Sequence, residues 1–557
     1  MSELDSQLAA KLKEEGNKFF VGKQYSQAHD KYSKALKVGG DNAIIYANRA
    51  ACCMSLGRYL DACSDARKAT VLDPEYAKGW GRLATAEQEL GSWDKAIEAY
   101  KTALSKLQTK ELTAAEKKQK EQYEAGLAIS EKKANPEPPK VHRLRAPLAS
   151  DRPYGRATAM LNQRPHECRN SSVNTINMAG NDFEGARAGM RQLKKVRLAN
   201  GQIGLAGRLD VSWTLIIFTL VADSTLEVLA NLTNAVLSDR RSFYIDDPNW
   251  TTKYNEQIML EIQNSQAWTE DGPEVVLKEA QQRVRERGWD AARPALAVTV
   301  RGWIMRAFLS AGMKKDYMDA EQFYRNAIDV LERGREIWSD VEKDERGSIF
   351  EHTFVFGVRA IHLEAFMQAH ASTEGTDPRF SAEVLDKLAS DLLHDVDQIR
   401  FSIGPFLRTF HGEAFFLAYF IYPAAEACAI KAYSLKHMAK GTSGERHKQL
   451  LEESAEYYAQ AAHRFPEDDE YHCQYLMNSL GSWWLLKTAP LKKTLPLLED
   501  LKKTYPKMQR IWEYSALGLE GRDAMIEKCL NYYDDVRRKI AEGELTEDDS
   551  HIPPFQI

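Results

Sequence analysis

The chain of 557 residues is poor in the features that mark secreted, membrane and nucleic-acid-binding proteins. It has only seven cysteines and no Cys-x-x-Cys pair, which argues against a disulfide framework and indicates reduced thiols in the cytosol. Its net charge is only −5, so the surface as a whole is not built for nucleic acid or a membrane. The N-terminal stretch MSELDSQLAA lacks the basic start and apolar core of a signal peptide. We therefore expect a cytoplasmic protein with no membrane contact and no nucleic-acid partner.

Long apolar runs and catalytic motifs are also scarce. The most apolar run, AFFLAYFIYPAAEACAI (residues 414–430), contains Pro423 and Glu426, which is typical of a buried helix and not of a membrane span. The sequence has no His-Glu-x-x-His, Gly-x-Ser-x-Gly or phosphate-loop motif, and its cysteines lack the spacing of metal ligands. We therefore expect no enzymatic activity, no metal and no cofactor. An enzyme with an unfamiliar helical catalytic domain stays an alternative.

What the sequence does have is a repeat of 34 residues, because the segments 9–42, 43–76 and 77–110 align without gaps. A period of 34 residues is that of the tetratricopeptide helix hairpin. Small residues let neighbouring helices approach closely, and large residues fill the spaces between them. Each of the 34 positions of the repeat is called a column. Small residues occupy column 8 (Gly16, Ala50, Ala84), column 20 (Ala28, Ala62, Ala96) and column 27 (Ala35, Ala69, Ala103), and large aromatic residues occupy column 17 (Tyr25, Tyr59, Trp93).

A stack of hairpins leaves its last apolar face uncovered, so a helical repeat ends in a polar capping helix. Residues 111–133 fit this role, because they are highly charged and keep Leu112, Tyr123 and Leu127 available for packing. We therefore predict an all-α protein. Its N-terminal domain, residues 1–133, is predicted to be a three-repeat tetratricopeptide superhelix closed by this capping helix.

Five polar residues fall on the first helices of the three predicted hairpins. In the first repeat, Lys13 and Asn17 lie one helical turn apart. Asn48 occupies column 6 of the second repeat. In the third, Arg82 occupies the same column, one turn after Lys78. Because the first helices of stacked hairpins line a concave groove, these cations and amides converge, and such a set suits one or two carboxylates through charge-assisted hydrogen bonds.

Two glycines accompany the cations of the third repeat. The stretch AKGWGRLATA (residues 77–86) contains Gly79 and Gly81, although glycine costs about 1 kcal/mol in a helix interior relative to alanine. We interpret these glycines, together with Ala47 and Ala51, as leaving room for a peptide backbone in the groove. The sequence thus predicts a groove for a peptide that presents carboxylates.

The segments LKEEGNKFF, YANRAA and YAKGWGRLA resemble the dicarboxylate-clamp tetratricopeptide domains of chaperone adaptors. That family binds the C-terminal Glu-Glu-Val-Asp tails of the ninety- and seventy-kilodalton heat-shock chaperones. The resemblance implies that Phe20 lines a pocket for the valine of the tail, and that the five clamp residues are Lys13, Asn17, Asn48, Lys78 and Arg82. It covers only residues 1–133, and a tetratricopeptide scaffold that binds another acidic peptide is the alternative.

The middle of the chain, residues 134–223, has the composition of a basic linker. Residues 134–140, ANPEPPK, predict a stiff, non-helical connection. Residues 140–208 carry 13 Lys and Arg against 4 Asp and Glu, with few large apolar residues early on, and we interpret them as a partly disordered tether. The apolar stretch VSWTLIIFTLVA, residues 211–222, is either a buried strand-like segment or a translated intron.

From about residue 224 onward, apolar residues recur at intervals of three and four, which predicts helices. Ala320, Tyr324 and Ala327 reproduce columns 20, 24 and 27 of the N-terminal repeat. We therefore predict a degenerate helical solenoid or bundle over 224–545, followed by a short tail over 546–557. This half resembles no family. The expected function is that of a co-chaperone, whose clamp holds a chaperone tail while the C-terminal half recruits a client or partner.

Overall fold

The computed structural model describes residues 3–107, 112–134, 148–192, 194–197, 203–206, 228–403 and 410–556. The described residues are helical apart from turns, connections and one antiparallel hairpin, in which β1 (Lys194–Arg197) pairs with β2 (Ile203–Ala206). The predicted all-helical class is therefore confirmed, with this hairpin as the one addition among the described residues. The apolar stretch 211–222 lies outside the described residues.

The first seven helices form three successive hairpins and a closing helix, at the positions that the 34-residue repeat predicts. Helix α3 contacts α5, and α5 contacts α7, so the odd-numbered helices share one layer and α2, α4 and α6 form the other. The helices are α1 (Glu3–Val21), α2 (Tyr25–Gly39), α3 (Ala43–Ser55), α4 (Tyr59–Leu72), α5 (Ala77–Glu89), α6 (Trp93–Leu107) and α7 (Ala114–Ala134).

Packing within this domain depends on the small residues of the repeat. Ala28, Ala62 and Ala96, which share column 20, are completely buried, so nothing larger fits between the paired helices. Gly16 has a similar role, because a Cβ atom there would lie 2.7 Å from the ring of Tyr32. The recurring columns are therefore explained by helix-to-helix contact.

The contacts between residues divide the chain into two compact units. The first contains residues 1–142, 265–300 and 333–340, and the second contains residues 143–264, 301–332 and 341–557. The remaining helices are α8 (Pro153–Gln163), α9 (Ser172–Gln192), α10 (Val228–Asp239), α11 (Trp250–Ser265), α12 (Pro273–Arg287), α13 (Trp289–Leu309), α14 (Tyr317–Ile337), α15 (Lys343–Arg346), α16 (His352–Ser372), α17 (Ala382–Ile403), α18 (Phe410–Phe416), α19 (Tyr422–Ala439), α20 (Gly444–Arg464), α21 (Glu470–Leu485), α22 (Leu491–Trp512), α23 (Ala516–Leu519) and α24 (Arg522–Ala541).

In the first unit, α12 begins against the tetratricopeptide helix α4. The Asp61 carboxylate accepts a hydrogen bond from the backbone N–H of Glu274, at 3.2 Å, and thereby caps the free N-terminus of α12 from another helix. Gly272 lies directly on Asp61, where an added Cβ atom would be 2.1 Å from the carboxylate oxygen. This contact requires glycine at position 272 and joins residues 265–300 to the N-terminal repeats.

Helices α8 and α9 of the second unit lie within residues 140–208, which the sequence analysis interprets as a tether. Ala157 and Ile176 are fully buried in a core cluster that also contains Met508 and Trp512. The positive charge of this stretch has a local explanation, because arginines pair with acidic residues elsewhere in the unit. Arg156, for example, lies 2.8 Å from a carboxylate oxygen of Glu513. The tether interpretation is therefore wrong for residues 153–192.

The apolar run around Pro423 is helical and is interrupted by one π-helical turn. A π-helical turn, Leu417–Ile421, precedes α19 and places Pro423 at the start of that helix, where a missing N–H costs little. The segment Gly412–Ala439 is long and apolar enough to cross a membrane. However, 72% of its most apolar 18-residue stretch is buried inside the protein.

The segment after α24 packs back onto the second unit. The backbone carbonyl of His551 accepts a hydrogen bond from the Tyr532 hydroxyl at 2.7 Å. The ring of Phe555 packs edge-on against Trp484, with the ring centres 6.1 Å apart. Residues predicted as a tail thus cover the end of α21 and α24.

Candidate peptide-binding site

The two amides predicted for the clamp lie in contact. Asn17 on α1 and Asn48 on α3 are joined by a hydrogen bond of 3.3 Å, in which the Asn48 side-chain N–H donates to Asn17 Oδ1. The hydroxyl of Tyr32 donates to the same oxygen at 2.6 Å. One amide oxygen therefore accepts two hydrogen bonds from neighbouring helices. The first two repeats are linked at this point.

The three cations predicted for the clamp lie on the same layer of helices. Lys13 is half-buried on α1, while Lys78 and Arg82 are exposed on α5. Burial raises the pKa of the Cys52 thiol on α3 to about 12, and the nearby Arg82 charge opposes part of that rise. Helix α3, which carries Asn48, contacts α5, which carries Lys78 and Arg82.

None of these three cations forms an ion pair with any residue that the structure describes. Like charges one turn apart repel slightly, so Lys78 and Arg82 add no stability through each other. The structure places the five residues predicted for the clamp on α1, α3 and α5, and whether they bind an anion together stays a prediction.

Several other cations of the repeats are paired within the chain. The Arg49 guanidinium on α3 reaches Asp65 of α4, with a shortest distance of 2.6 Å. Arg58 at the start of α4 lies 2.8 Å from Asp61 and 3.0 Å from Glu274. The chain itself supplies acidic partners at these positions, so their charges are not available to a ligand.

The acidic partners around α12 include three residues within one short segment. Glu270 pairs with Lys95 of α6, and Glu274 lies 3.3 Å from the His29 ring of α2. Although burial acts to raise the pKa of Glu274, its bonds to His29 and Arg58 outweigh it and hold that pKa well below its usual value. Asp271 accepts a hydrogen bond from Ser64 at 3.3 Å. Residues 270–274 thus supply acidic partners to side chains on α2, α4 and α6.

The glycines of α5 pack against other parts of the domain, which corrects the interpretation that they make room for a peptide. A Cβ atom on Gly81 would lie 2.2 Å from the ring of Tyr123 on α7, and one on Gly79 would lie 3.3 Å from the Tyr76 ring. Both glycines are buried, as are Ala47 and Ala51. They serve the packing of helices, and Gly81 in particular admits the capping helix.

Phe20, predicted to line a pocket, is half-buried at the end of α1. It packs edge-on against Tyr25, with the ring centres 5.4 Å apart, and against a core cluster that contains Tyr32 and Ile45. Phe20 therefore helps to hold the first hairpin together, and its predicted role as a pocket residue stays a prediction.

Two functional features were missed by the sequence analysis. The hydroxyl of Tyr32 contacts Asn17, but column 24 holds Tyr32, Ala66 and Tyr100, so the residue is indistinguishable from core by pattern alone. The acidic stretch 269–274, TEDGPE, has a Gly-Pro pair and clustered acids that mark a helix start, but nothing in it identifies α4 as its partner.

A second cluster of charged residues lies in the other unit. Arg241 contacts Asp239 and Asp469, and its guanidinium lies 4.0 Å from the centre of the Trp512 ring. Burial raises the pKa of Glu470 to about 7, although Arg522 hydrogen-bonds its carboxylate at 2.7 Å. These groups are buried and bonded to one another, which is typical of an internal ion-pair network.

Comparison with known proteins finds relatives of the repeats alone, and no protein-family model matches the chain. Small glutamine-rich tetratricopeptide repeat-containing protein 2 of Saccharomyces cerevisiae is 46% identical over 96 residues, which are 17% of this chain and 28% of that protein. Heat-shock protein cognate (HSC) co-chaperone sgt12 of Aspergillus fumigatus is 42% identical over 94 residues, again 17% and 28%. The chain thus spans 28% of the length of these curated relatives.

Among solved structures, the first tetratricopeptide domain of Spaghetti (RPAP3), bound to the HSP90 peptide SRMEEVD, is 28% identical with a TM-score of 0.20. The match covers 22% of this chain and 95% of that one. The N-terminal quarter of the chain therefore matches tetratricopeptide co-chaperones, as the resemblance predicted.

Proposed function

We propose that the N-terminal repeats bind the C-terminal acidic tail of a heat-shock chaperone of the ninety- or seventy-kilodalton family. The observation that carries this proposal is the set of three unpaired cations beside a linked pair of amides on α1, α3 and α5. The names of the curated relatives, which include a heat-shock cognate co-chaperone, support the same function.

A tail that ends in aspartate presents two carboxylates, the side chain and the chain terminus. In the proposed complex Lys13, Lys78 and Arg82 supply positive charge to both, and the amides of Asn17 and Asn48 donate hydrogen bonds. Such charge-assisted bonds contribute about 1.5–3 kcal/mol each. The recognition mode is capture of a C-terminal carboxylate, with the half-exposed ring of Phe20 as a contact for the preceding valine.

For the whole chain, we propose a non-enzymatic cytoplasmic adaptor. Its second unit is a helical body in which the prominent charged cluster is satisfied internally, which fits a scaffold that recruits a client or partner protein. The buried cysteines, all seven of them free thiols, fit a reducing compartment.

The test is calorimetric titration of the full chain with a peptide ending in Met-Glu-Glu-Val-Asp, beside the same peptide amidated at its C-terminus. The proposal predicts micromolar-range binding of the free peptide and none of the amidated one. Equal binding of both would replace the clamp with another mode of acidic-peptide recognition. Binding of neither would exclude a chaperone tail as the ligand.

A further inference from the structure

We propose that Tyr32 is a positioning residue of the clamp, which fixes the amide of Asn17 so that its N–H groups face the ligand. This inference rests on the proposed function and adds to it a residue that contacts no ligand itself. The observation behind it is the hydroxyl of Tyr32, which donates to Asn17 Oδ1 at 2.6 Å.

The orientation of the Asn17 amide is set from two sides. Its oxygen accepts from Tyr32 and, at 3.3 Å, from the side-chain N–H of Asn48. Its Nδ2 atom has no hydrogen-bond partner among the residues that the structure describes, and the side chain is exposed. The acceptor end is therefore held against the helices, and the donor end is left for a ligand.

Orientation matters because an asparagine amide has an acceptor and a donor end of nearly equal size. A freely rotating amide would present its oxygen to a carboxylate in part of the population, and that arrangement is repulsive. Holding the oxygen in place removes this population before the ligand arrives, so less ordering is left to occur on binding.

Tyr32 is itself held rigidly. Its side chain is 1% exposed, and its ring lies over Gly16 so closely that a Cβ atom there would be 2.7 Å away. Burial raises the pKa of Tyr32 to about 12, so the hydroxyl keeps its proton and acts as a donor at physiological pH. The ring thus aims a fixed donor at the residue that follows Gly16 in the sequence.

The third repeat supplies a matched control. Tyr100 occupies the same column as Tyr32, is 3% exposed and lies over Gly126 in the same manner. Its hydroxyl donates to Gln88 Oε1 at 3.0 Å, and Gln88 is not one of the clamp residues. Tyr100→Phe therefore removes an equivalent hydroxyl from the same domain without disturbing the amide pair.

The experiment is a double-mutant cycle on the full chain, titrated with the Met-Glu-Glu-Val-Asp peptide. The variants are Tyr32→Phe, Tyr100→Phe, Asn17→Ala and the combination Asn17→Ala/Tyr32→Phe, and the thermal midpoint of each is measured in parallel. We expect Tyr32→Phe to weaken binding about threefold to tenfold, which is the range of one neutral hydrogen bond. Tyr100→Phe should leave the affinity unchanged.

The double-mutant cycle distinguishes a role of Tyr32 in orienting Asn17 from a role in the stability of the domain. If Tyr32 acts through Asn17, its replacement has no further effect on affinity in the Asn17→Ala background. An equal loss in both backgrounds, or full affinity in Tyr32→Phe, would overturn the inference while the clamp itself stands. Absence of binding by the unmodified chain would overturn the proposed function, and this inference with it.

Discussion

The N-terminal repeats carry two groups of cations, one without acidic partners among the described residues and one paired by acids of the same chain. On α1 and α5, Lys13, Lys78 and Arg82 have no acidic partner among the described residues. On the layer formed by α2, α4 and α6, Arg58 and Lys95 are bound by acids from residues 270–274. A cation on a tetratricopeptide helix is therefore not by itself a sign of ligand binding.

The difference lies in where the counter-ion comes from. For Arg58 the chain supplies it, and the paired groups hold α12 against α4. Burial raises the pKa of Asp61 to about 6 even beside Arg58, so this contact is maintained against a desolvation cost. Lys78 and Arg82 on α5 have met no such cost, because their side chains are exposed to water.

The largest expected effect comes from removing an unpaired cation. Lys13→Ala should weaken binding of the Met-Glu-Glu-Val-Asp peptide about tenfold to a hundredfold, because one charge-assisted contact is lost. The thermal midpoint should stay unchanged. The matched control is Lys11→Ala, since Lys11 is an exposed lysine on the same helix outside the clamp set. Equal affinity of the two variants would contradict the proposed role of Lys13.

Next in size is the effect of filling the space above a glycine of α5. Gly81→Ala places a methyl group against the ring of Tyr123, and we expect it to lower the free energy of unfolding by about 2 kcal/mol. Urea denaturation measures this change. Gly22→Ala is the control, since its Cβ atom would meet nothing closer than 3.5 Å. If the Gly81→Ala variant kept full stability but lost peptide binding, the interpretation that this glycine leaves room for a peptide would be restored.

A smaller loss of stability is expected on the second layer. Glu274→Ala leaves Arg58 and His29 without their shared acid, and because these ion pairs are partly exposed we expect about 1 kcal/mol of destabilisation. Peptide affinity should not change. Glu98→Ala, on an exposed position of α6, serves as the control in the same denaturation series. A drop in affinity with Glu274→Ala would show that the two layers are not independent.

The smallest effect is that of salt. Raising the ionic strength from about 0.1 M to about 1 M shortens the screening length from about 10 Å to about 3 Å. Peptide affinity, which depends on exposed charges, should fall roughly severalfold in calorimetric titrations across this range. The buried contact between α12 and α4 should respond less, and a salt-independent affinity would indicate an apolar mode of binding.

The repeat was predictable because residues of the same size recur at intervals of 34. Ala28, Ala62 and Ala96 are buried, as this spacing requires. What could not be predicted is which neighbour a small residue faces. Gly81 has its partner Tyr123 on the capping helix, and the sequence gives no indication of that contact. The five clamp positions were assigned by resemblance, and whether they bind a tail stays a prediction.

The middle of the chain was mispredicted for a related reason. A stretch rich in arginine and poor in large apolar residues has the composition of a disordered tether. The acid that neutralises Arg156, however, is Glu513, separated from it by 357 residues. The composition of a stretch gives only its own net charge, whereas the acidic residues that neutralise its arginines come from distant parts of the same unit.

We propose that the cations predicted for the clamp bind the peptide and that Arg58, paired with Asp61 and Glu274, holds the fold, and a crossed measurement on two arginines distinguishes these roles. Arg82→Ala and Arg58→Ala are each compared with the unmodified full chain in peptide affinity and in thermal midpoint. We expect Arg82→Ala to lose affinity about tenfold or more at an unchanged midpoint, and Arg58→Ala to lower the midpoint at unchanged affinity. The reverse pattern, or a loss of both properties in both variants, would contradict it.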